Sequence, residues 1–292
     1  MTAVASRASS ATPLDAGPDA PVTVLEPRRG LALPDPGELW RRRELLWLLA
    51  ARDFSARYKQ TALGTIWAVI RPVVSMVVMS VFFGSVMGVA RAVEGVAYPV
   101  FLYVGLLPWQ LFTAAVTGSS GSMVANSGMV KKVYFPRLLV PLSAIGAPLV
   151  DFAIASVILA GLMAYFGVVP TWGIVLVPVL LLAVLTAVTG FSLLLSAWSV
   201  SFRDVGHAVP FMLQTMLFMT PVIYPVKLLP EAWGWLLWLN PMTGPIEAFR
   251  AVLLGGPIDW VALAVSWQVA VLMTIVGTVW FTSAERKFAD VV

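Results

Sequence analysis

An all-α fold of membrane-spanning helices is what the sequence predicts, and three observations carry the prediction. Of 292 residues, 59% are hydrophobic and only 12% charged, with a mean hydropathy of +0.88, well above the balance of a water-soluble globular domain. Several apolar runs reach the roughly 20 residues needed to cross about 30 Å of hydrocarbon, which selects spanning helices over the short alternating strands of a barrel. Lysine and arginine gather in some of the connections and avoid others, the asymmetry that marks cytoplasmic loops. Cysteine is absent, which excludes disulfides, thiolate metal sites and cysteine nucleophiles.

Residues 1–36 are rich in Ala, Pro, Ser, Thr and Asp, with prolines at 13, 18, 21, 27, 34 and 36. Such a segment buries too little surface to order itself and reads as a disordered cytoplasmic tail. Arg7 is not followed by the apolar core of a secretory signal. Residues 37–60 follow, where ELWRRRELLWLLAARDFSARYKQ from Glu38 sets Leu45, Leu46, Trp47, Leu49 and Phe54 among five arginines and one lysine. This stretch is too charged to span yet apolar enough to lie in the headgroup layer, so it reads as an amphipathic elbow helix. Arg52, Arg57, Tyr58 and Lys59 are its candidate interfacial residues.

The first span is expected over residues 63–90 and carries Arg71 followed by Pro72; an arginine that deep must snorkel or find a partner. The second covers 98–124, with Pro108, Trp109 and a small-residue tail from Thr117 to Ser122. The third run, 138–169, is 32 residues long, broken by Pro141 and Pro148 and carrying Asp151, so its first part is expected to follow the interface. A tight outer turn at 170–173 leads to a fourth span, 174–198, which ends at a second inner loop around Arg203. The fifth run, 209–226, contains Pro210, Pro221 and Pro225. Residues 228–257 mix tryptophans 233, 235 and 238 with Glu231, Asn240, Pro241, Pro245, Glu247 and Arg250. Broken helices at membrane depth need protein or a watery cavity around them, so this stretch reads as a re-entrant hairpin on the outer side. The last span, 261–281, precedes Glu285, Arg286 and Lys287.

Six spans place both termini on one side. Of the 19 Lys and Arg residues, 15 fall in the tail, the elbow, the two inner loops and the C-terminal end, which predicts cytoplasmic termini. A full crossing by 228–257 would turn Arg286 and Lys287 outward against the same rule. No internal repeat supports an inverted-repeat transporter.

Catalytic chemistry is thin. No GxxxxGK[ST] phosphate loop occurs, so the chain does not hold ATP in that manner. His207, the single histidine, sits at the inner end of the fifth span, where a capping or interfacial role is the ordinary one. Carboxylates are sparse, with no HExxH and no metal-ligand spacing. The charges within or beside spans are Arg71, Asp151, Glu247 and Arg250; Arg71 and Asp151 are candidate partners, and Glu247 and Arg250 stand three apart on one helix face. Most tryptophans suit an interfacial belt, although flat rings also stack on the apolar faces of sugars.

The stretch 126–137, NSGMVKKVYFPR, is the most informative. Lys131, Lys132 and Arg137 fix it inside, while Asn126-Ser127-Gly128 reads as a cap and turn opening a short helix that Tyr134, Phe135 and Pro136 close. A topological anchor alone needs no helix with aromatics at its end.

Three stretches together resemble the permease subunit of type-2 ATP-binding-cassette exporters, in the branch that exports lipid-linked polysaccharides such as O-antigen and teichoic acid. They are RDFSARYKQTALGTIWAVIRP at 52–72, GLLPWQLF with NSGMVKKVYFPRLLVPLSA within 105–144, and SVSFRDVGHAVPFMLQTMLFMTPVIYP with LNPMTGPIEAFR within 199–250. The resemblance implies a homodimer of six-span halves with the pore between them in the bacterial inner membrane. It also implies two copies of a cytosolic ATPase that bind ATP and Mg, no cofactor in this chain and no nucleic-acid partner. Coupling to the ATPase would run through Asn126, Met129, Lys131, Lys132, Tyr134, Phe135 and Arg137, with Arg203 and Asp204 nearby. The path or exit for a polyprenyl-linked glycan would involve Trp109, Tyr224, Trp233, Trp235, Trp238, Asn240, Glu247 and Arg250. The Pro/Ala-rich tail and Arg71 depart from the family pattern. Two other functions stay open on the residues: an exporter of drugs or small lipids on the same architecture, and a membrane-embedded polyprenyl-lipid transferase using Asp151, Glu247 or His207.

Overall fold

The computed structural model describes residues 36–59, 64–132, 135–230 and 233–291. The tail predicted over 1–36 lies outside them apart from Pro36, as does Tyr134 of the coupling stretch. No strand occurs among the described residues, and the order of elements is wholly helical.

The elbow forms as two helices, α1 (Pro36–Arg41) and α2 (Arg43–Tyr58). The first long apolar helix, α3 (Trp67–Met79), runs on through a π-helical segment, Ser80–Val86. It ends sooner than the hydropathy suggests because Gly88 turns the chain with φ of 74°, a left-handed conformation that glycine adopts without a Cβ clash. The central helix, α4 (Tyr98–Ser120), is apolar on all sides and buried along most of its length, with Val100, Leu102, Val104, Phe112, Ala115 and Val116 fully enclosed. A helix of that kind belongs in the middle of a bundle, and α3, α8, α9, α10 and α12 surround it.

Two short helices, α5 (Ser122–Ala125) and α6 (Ser127–Lys132), follow at its end. The third apolar run splits into α7 (Leu139–Ser143) and α8 (Gly146–Tyr165). Pro148 has no N–H to offer the carbonyl of Ala144, which is where the two part. The fourth, α9 (Val177–Ser201), and the last, α13 (Trp260–Val291), cross backbone to backbone. A Cβ on Gly190 would come within 2.7 Å of the Thr274 nitrogen, and one on Gly277 within 2.6 Å of the Gly190 carbonyl oxygen. Small residues that admit such an approach are how helices associate where lipid removes the hydrophobic drive.

Among the described residues, five helical stretches are long and apolar enough to cross a membrane: Trp67–Val86, Tyr98–Ser120, Leu139–Tyr165, Trp172–Ser201 and Trp260–Glu285. This is a multi-pass membrane protein. The fifth run of the sequence behaves differently from a full crossing. Its helix α10 (Val205–Met219) has 15 residues, about 22 Å at ~1.5 Å per residue, short of a ~30 Å core. The helix stops because Pro221 supplies no N–H and pushes Thr220 to extended geometry, with φ −104° and ψ 136°. The chain then folds back into the bundle, burying Val222 and Ile223.

Beyond it lie α11 (Gly234–Trp238) and α12 (Thr243–Leu254). Helix α12 packs against α4, α9 and α13 and buries nine of its 12 residues. Helix α12 is therefore sequestered by protein, the condition for broken helices in an apolar setting, whereas α11 has no buried residue.

Candidate functional site

The cationic stretch, the loop around Arg203, the elbow and the C-terminal helix all meet at one end of the bundle. Helix α5 leaves the C-terminal end of α4 and packs on α9, whose own C-terminus leads to Arg203; α2 lies across α7 and α8. A second hydrophobic cluster, separate from the core around α4, binds these pieces together. It comprises Met123, Val130, Phe135, Leu138, Leu139, Val140, Leu193, Ala197, Val200 and Phe281, with Leu45, Leu46, Met129 and Ala284 packed on it.

Helix α6 has two faces as a result. Val130 is 4% exposed and rooted in the cluster, whereas Lys131 and Lys132 project outward. The Asn126 carbonyl accepts from the N–H groups of Met129 and Val130, each at 3.0 Å, so Asn126 opens the helix as its sequence position predicts. Its side chain faces backward: Nδ2 donates to the Ser122 carbonyl at 2.8 Å, and Oδ1 accepts from Arg52 Nη2 at 2.7 Å. Arg52 also pairs with Asp53 at 2.8 Å. Arg137 Nη1 donates to the Glu285 carbonyl at 2.6 Å, joining this loop to α13. Phe135 is buried at 5% exposure; it anchors the loop from beneath and offers no ring to a docking partner.

Arg203 and Asp204 are exposed between α9 and α10. Asp204 occupies the cap position of α10 through its carbonyl, which accepts from His207 N at 3.0 Å and Ala208 N at 2.9 Å, and its carboxylate makes no cap bond. His207 is exposed on the first turn.

The elbow is fastened through Asp151, and here the expected pairing is corrected. Asp151 Oδ2 accepts from Arg57 Nη1 at 2.9 Å and Oδ1 from the Tyr58 hydroxyl. Asp151 is thus engaged by the elbow and not by Arg71, because α2 folds back over the start of α8. Burial pushes the Tyr58 hydroxyl up to about 12, and the hydrogen bond to Asp151 acts in the same direction. Arg71 lies over the Trp67 ring at 5.8 Å and has no carboxylate partner among the described residues. Lys59 is exposed and its N–H closes α2 on the Ser55 carbonyl at 2.8 Å. Trp47 and Leu48 are exposed on α2 among Arg43, Glu44 and Arg52, a mixture of apolar and charged side chains suited to the headgroup layer.

At the other end, Arg250 clamps the turn after α10. It is 5% exposed; Nη1 donates to the Pro221 carbonyl and, at 2.6 Å, to Glu247 Oε1, while Nη2 donates to the Val222 carbonyl. The guanidinium lies 3.8 Å from the Phe101 ring centroid, and a Cβ on Gly105 would come within 2.6 Å of Nη2. Asn240 Nδ2 donates to Thr220 Oγ1 at 2.7 Å and its Oδ1 accepts from Met242 N at 3.0 Å. Ser266 of α13 donates to the Trp238 carbonyl at 3.0 Å and accepts from Gly244 N at 3.1 Å. Lys227 and Glu94 pair at 2.8 Å between the loops at this end, a contact that lowers the Glu94 carboxyl below its usual range.

The residues expected along a path divide accordingly. Trp233 and Trp235 are 57% and 61% exposed; Trp238 and Tyr224 are half-buried, the latter donating to the Phe218 carbonyl at 2.9 Å. Trp109 is 4% exposed and packs on Phe112 at 5.5 Å, so it fills the core, as does the Arg250 clamp, and neither presents a surface in this conformation. The Arg57–Tyr58–Asp151 and Lys227–Glu94 contacts were not legible beforehand: their partners stand 94, 93 and 133 residues apart. The one available signal was the isolation of Asp151 in an apolar run. Among the described residues no group of three or more His, Cys, Asp or Glu is placed to hold a metal.

This build defines a polytopic helical membrane protein. Residues 44–254 match the family described as ABC-2 type transporter, and the chain belongs to that family. It is 31% identical over 256 residues to the O-antigen export system permease protein RfbA of Myxococcus xanthus, covering 87% of this chain and 97% of the relative. A second protein of that name, from Klebsiella pneumoniae, is 28% identical over 252 residues, 85% and 95% of the two chains. The polysialic acid transport protein KpsM of Escherichia coli is 26% identical over 226 residues, 72% and 81% respectively. Family membership implies an ATP-binding partner.

Proposed function

We propose that the chain is the permease subunit of an exporter of lipid-linked polysaccharide in a bacterial inner membrane. It works as a homodimer with two copies of a cytosolic ATPase, which hold the ATP and Mg; its termini are cytoplasmic, and α10 together with the extended residues after it provides the remaining crossing, with residues 228–257 on the outer side. The observation that carries this reading is α6: exposed Lys131 and Lys132 stand on a short helix whose underside shares one apolar cluster with the elbow, α9 and α13. A push on that helix is transmitted to spanning helices through close-packed side chains. Relatives whose names specify O-antigen export and polysialic acid transport support the cargo class.

A transferase reading finds less support, because Asp151 and Glu247 are both spoken for by arginines. The test replaces Lys131 and Lys132 by Glu in the chain co-expressed with its ATPase. Loss of export, with accumulation of intracellular lipid-linked polymer as in cells lacking the protein, is expected. Unchanged ATPase association and unchanged export would refute the coupling role. Altered drug tolerance without polymer accumulation in the deletion strain would replace the cargo.

A further inference from the structure

Between the elbow and the bundle lies a cavity of about 330 Å³ whose lining includes Arg57, Tyr58, Arg71, Gln110, Asp151 and Phe152. Its walls come from the end of α2, the first turns of α3, the middle of α4 and the first turns of α8. Leu107, Leu111, Pro72, Pro148 and Ala155 give it an apolar wall, with Thr113 the further polar residue in the lining.

The polar groups are unequally committed. Both Asp151 oxygens are taken by Arg57 and Tyr58, so the acid is neutralised by one arginine and the second, Arg71, keeps its charge. Arg71 is exposed at the cavity, with the Trp67 ring 5.8 Å away and no carboxylate partner among the described residues. An arginine in an apolar span without an acid is costly unless something anionic or watery meets it. Gln110 is half-buried on the same wall, with amide hydrogens to donate. The cavity therefore offers a cation and a neutral donor above an apolar floor, beside a helix that lies along the interface.

We propose that this cavity binds the phosphate-bearing head of an anionic membrane amphiphile, with Arg71 holding the phosphate, Gln110 donating to it and the apolar wall receiving the start of its chain. A guanidinium suits phosphate because its planar donors match two oxygens at once. On the export reading, which this inference rests on for the identity of the occupant, that amphiphile is the lipid end of the cargo.

The full chain in phosphatidylcholine nanodiscs is titrated with dodecyl phosphate, inorganic phosphate and dodecyl maltoside. Dodecyl phosphate is expected to bind saturably, and Arg71→Gln and Gln110→Leu each to weaken it, the arginine change by roughly tenfold or more, as loss of a charge-assisted bond implies. Arg71→Lys should retain part of the affinity, and dodecyl maltoside should not compete. Equal affinity in the parent chain and Arg71→Gln would overturn the site, as would displacement by inorganic phosphate at the same concentration, which would mark a soluble-anion site. Because Arg71 has no acid to orphan, Arg71→Gln should elute and melt like the parent; Gln110→Leu carries the test if it does not. The titration uses neither ATP nor glycan, so a failed titration beside intact polymer export rejects this site alone, whereas binding beside absent polymer export rejects the cargo reading.

Discussion

Arg250 shows how a single side chain carries a fold-level task. Its guanidinium satisfies the Pro221 and Val222 carbonyls, which the proline-broken end of α10 leaves without helical partners, and neutralises Glu247. Arg250→Met removes all of these and leaves a carboxylate without its counter-charge. Breaking a buried pair in this way costs about 3–5 kcal/mol, so a large fall in the thermal midpoint of the purified protein in detergent is expected. Glu247→Gln should cost less, since the arginine keeps both carbonyls. Tyr58 gives a prediction in pH. Its folded value of about 12 lies above the ordinary 10.0, so the folded state holds a proton that the unfolded state has lost. Stability from this group is complete below pH about 10 and declines as pH rises towards 12. Melting curves of Tyr58→Phe should lack that alkaline decline relative to the parent chain. The Glu247–Arg250 contact was legible from its spacing of three; Asp151 was visible as an anomaly, but its partner was not, because proximity across 94 residues has no local signature.

Among the elements, the α9–α13 crossing is the one with least tolerance. Gly277 meets the Gly190 carbonyl and the Leu194 nitrogen, so a side chain there collides with backbone, which cannot rotate aside. Overpacking typically costs 1–3 kcal/mol, and Gly277→Val is expected at or above the upper end, read as a lowered thermal midpoint and poorer yield of monodisperse protein. Gly161→Ala, on α8 with open space around its Cβ, is the matched control and should change little. The long apolar helices were readable from hydropathy because desolvating some 20 consecutive residues leaves few alternatives. Their ends were less so. The first helix stops at a left-handed glycine, the third run divides above Pro148, and the fifth run yields 15 helical residues before Pro221 turns it back. Prolines announced the last two of these breaks, but the direction taken afterwards depends on neighbours that only the assembled bundle supplies.

Across the whole molecule, α4 connects the two ends. The Tyr98 hydroxyl at its start donates to the Ile223 carbonyl at 2.8 Å, and Ser119 near its finish donates to the Pro141 carbonyl at 2.8 Å. The proposed sidedness follows from where the cations lie. Since the chain has no cysteine, Lys131→Cys and Lys227→Cys each create one labelling site. In spheroplasts a membrane-impermeant maleimide should modify position 227 readily and position 131 only after lysis; the reverse pattern would invert the topology. Composition and hydropathy by themselves determined that the chain is helical and crosses a membrane repeatedly, because a backbone in hydrocarbon must satisfy its own hydrogen bonds. The order of basic and aromatic residues determined the family resemblance. What tertiary structure alone decided is which charges distant in sequence neutralise each other, which aromatics are sealed in the core and which helix end meets which loop. Those outcomes depend on Coulomb and packing terms that act across a few ångströms of space, between residues that the linear order keeps far apart.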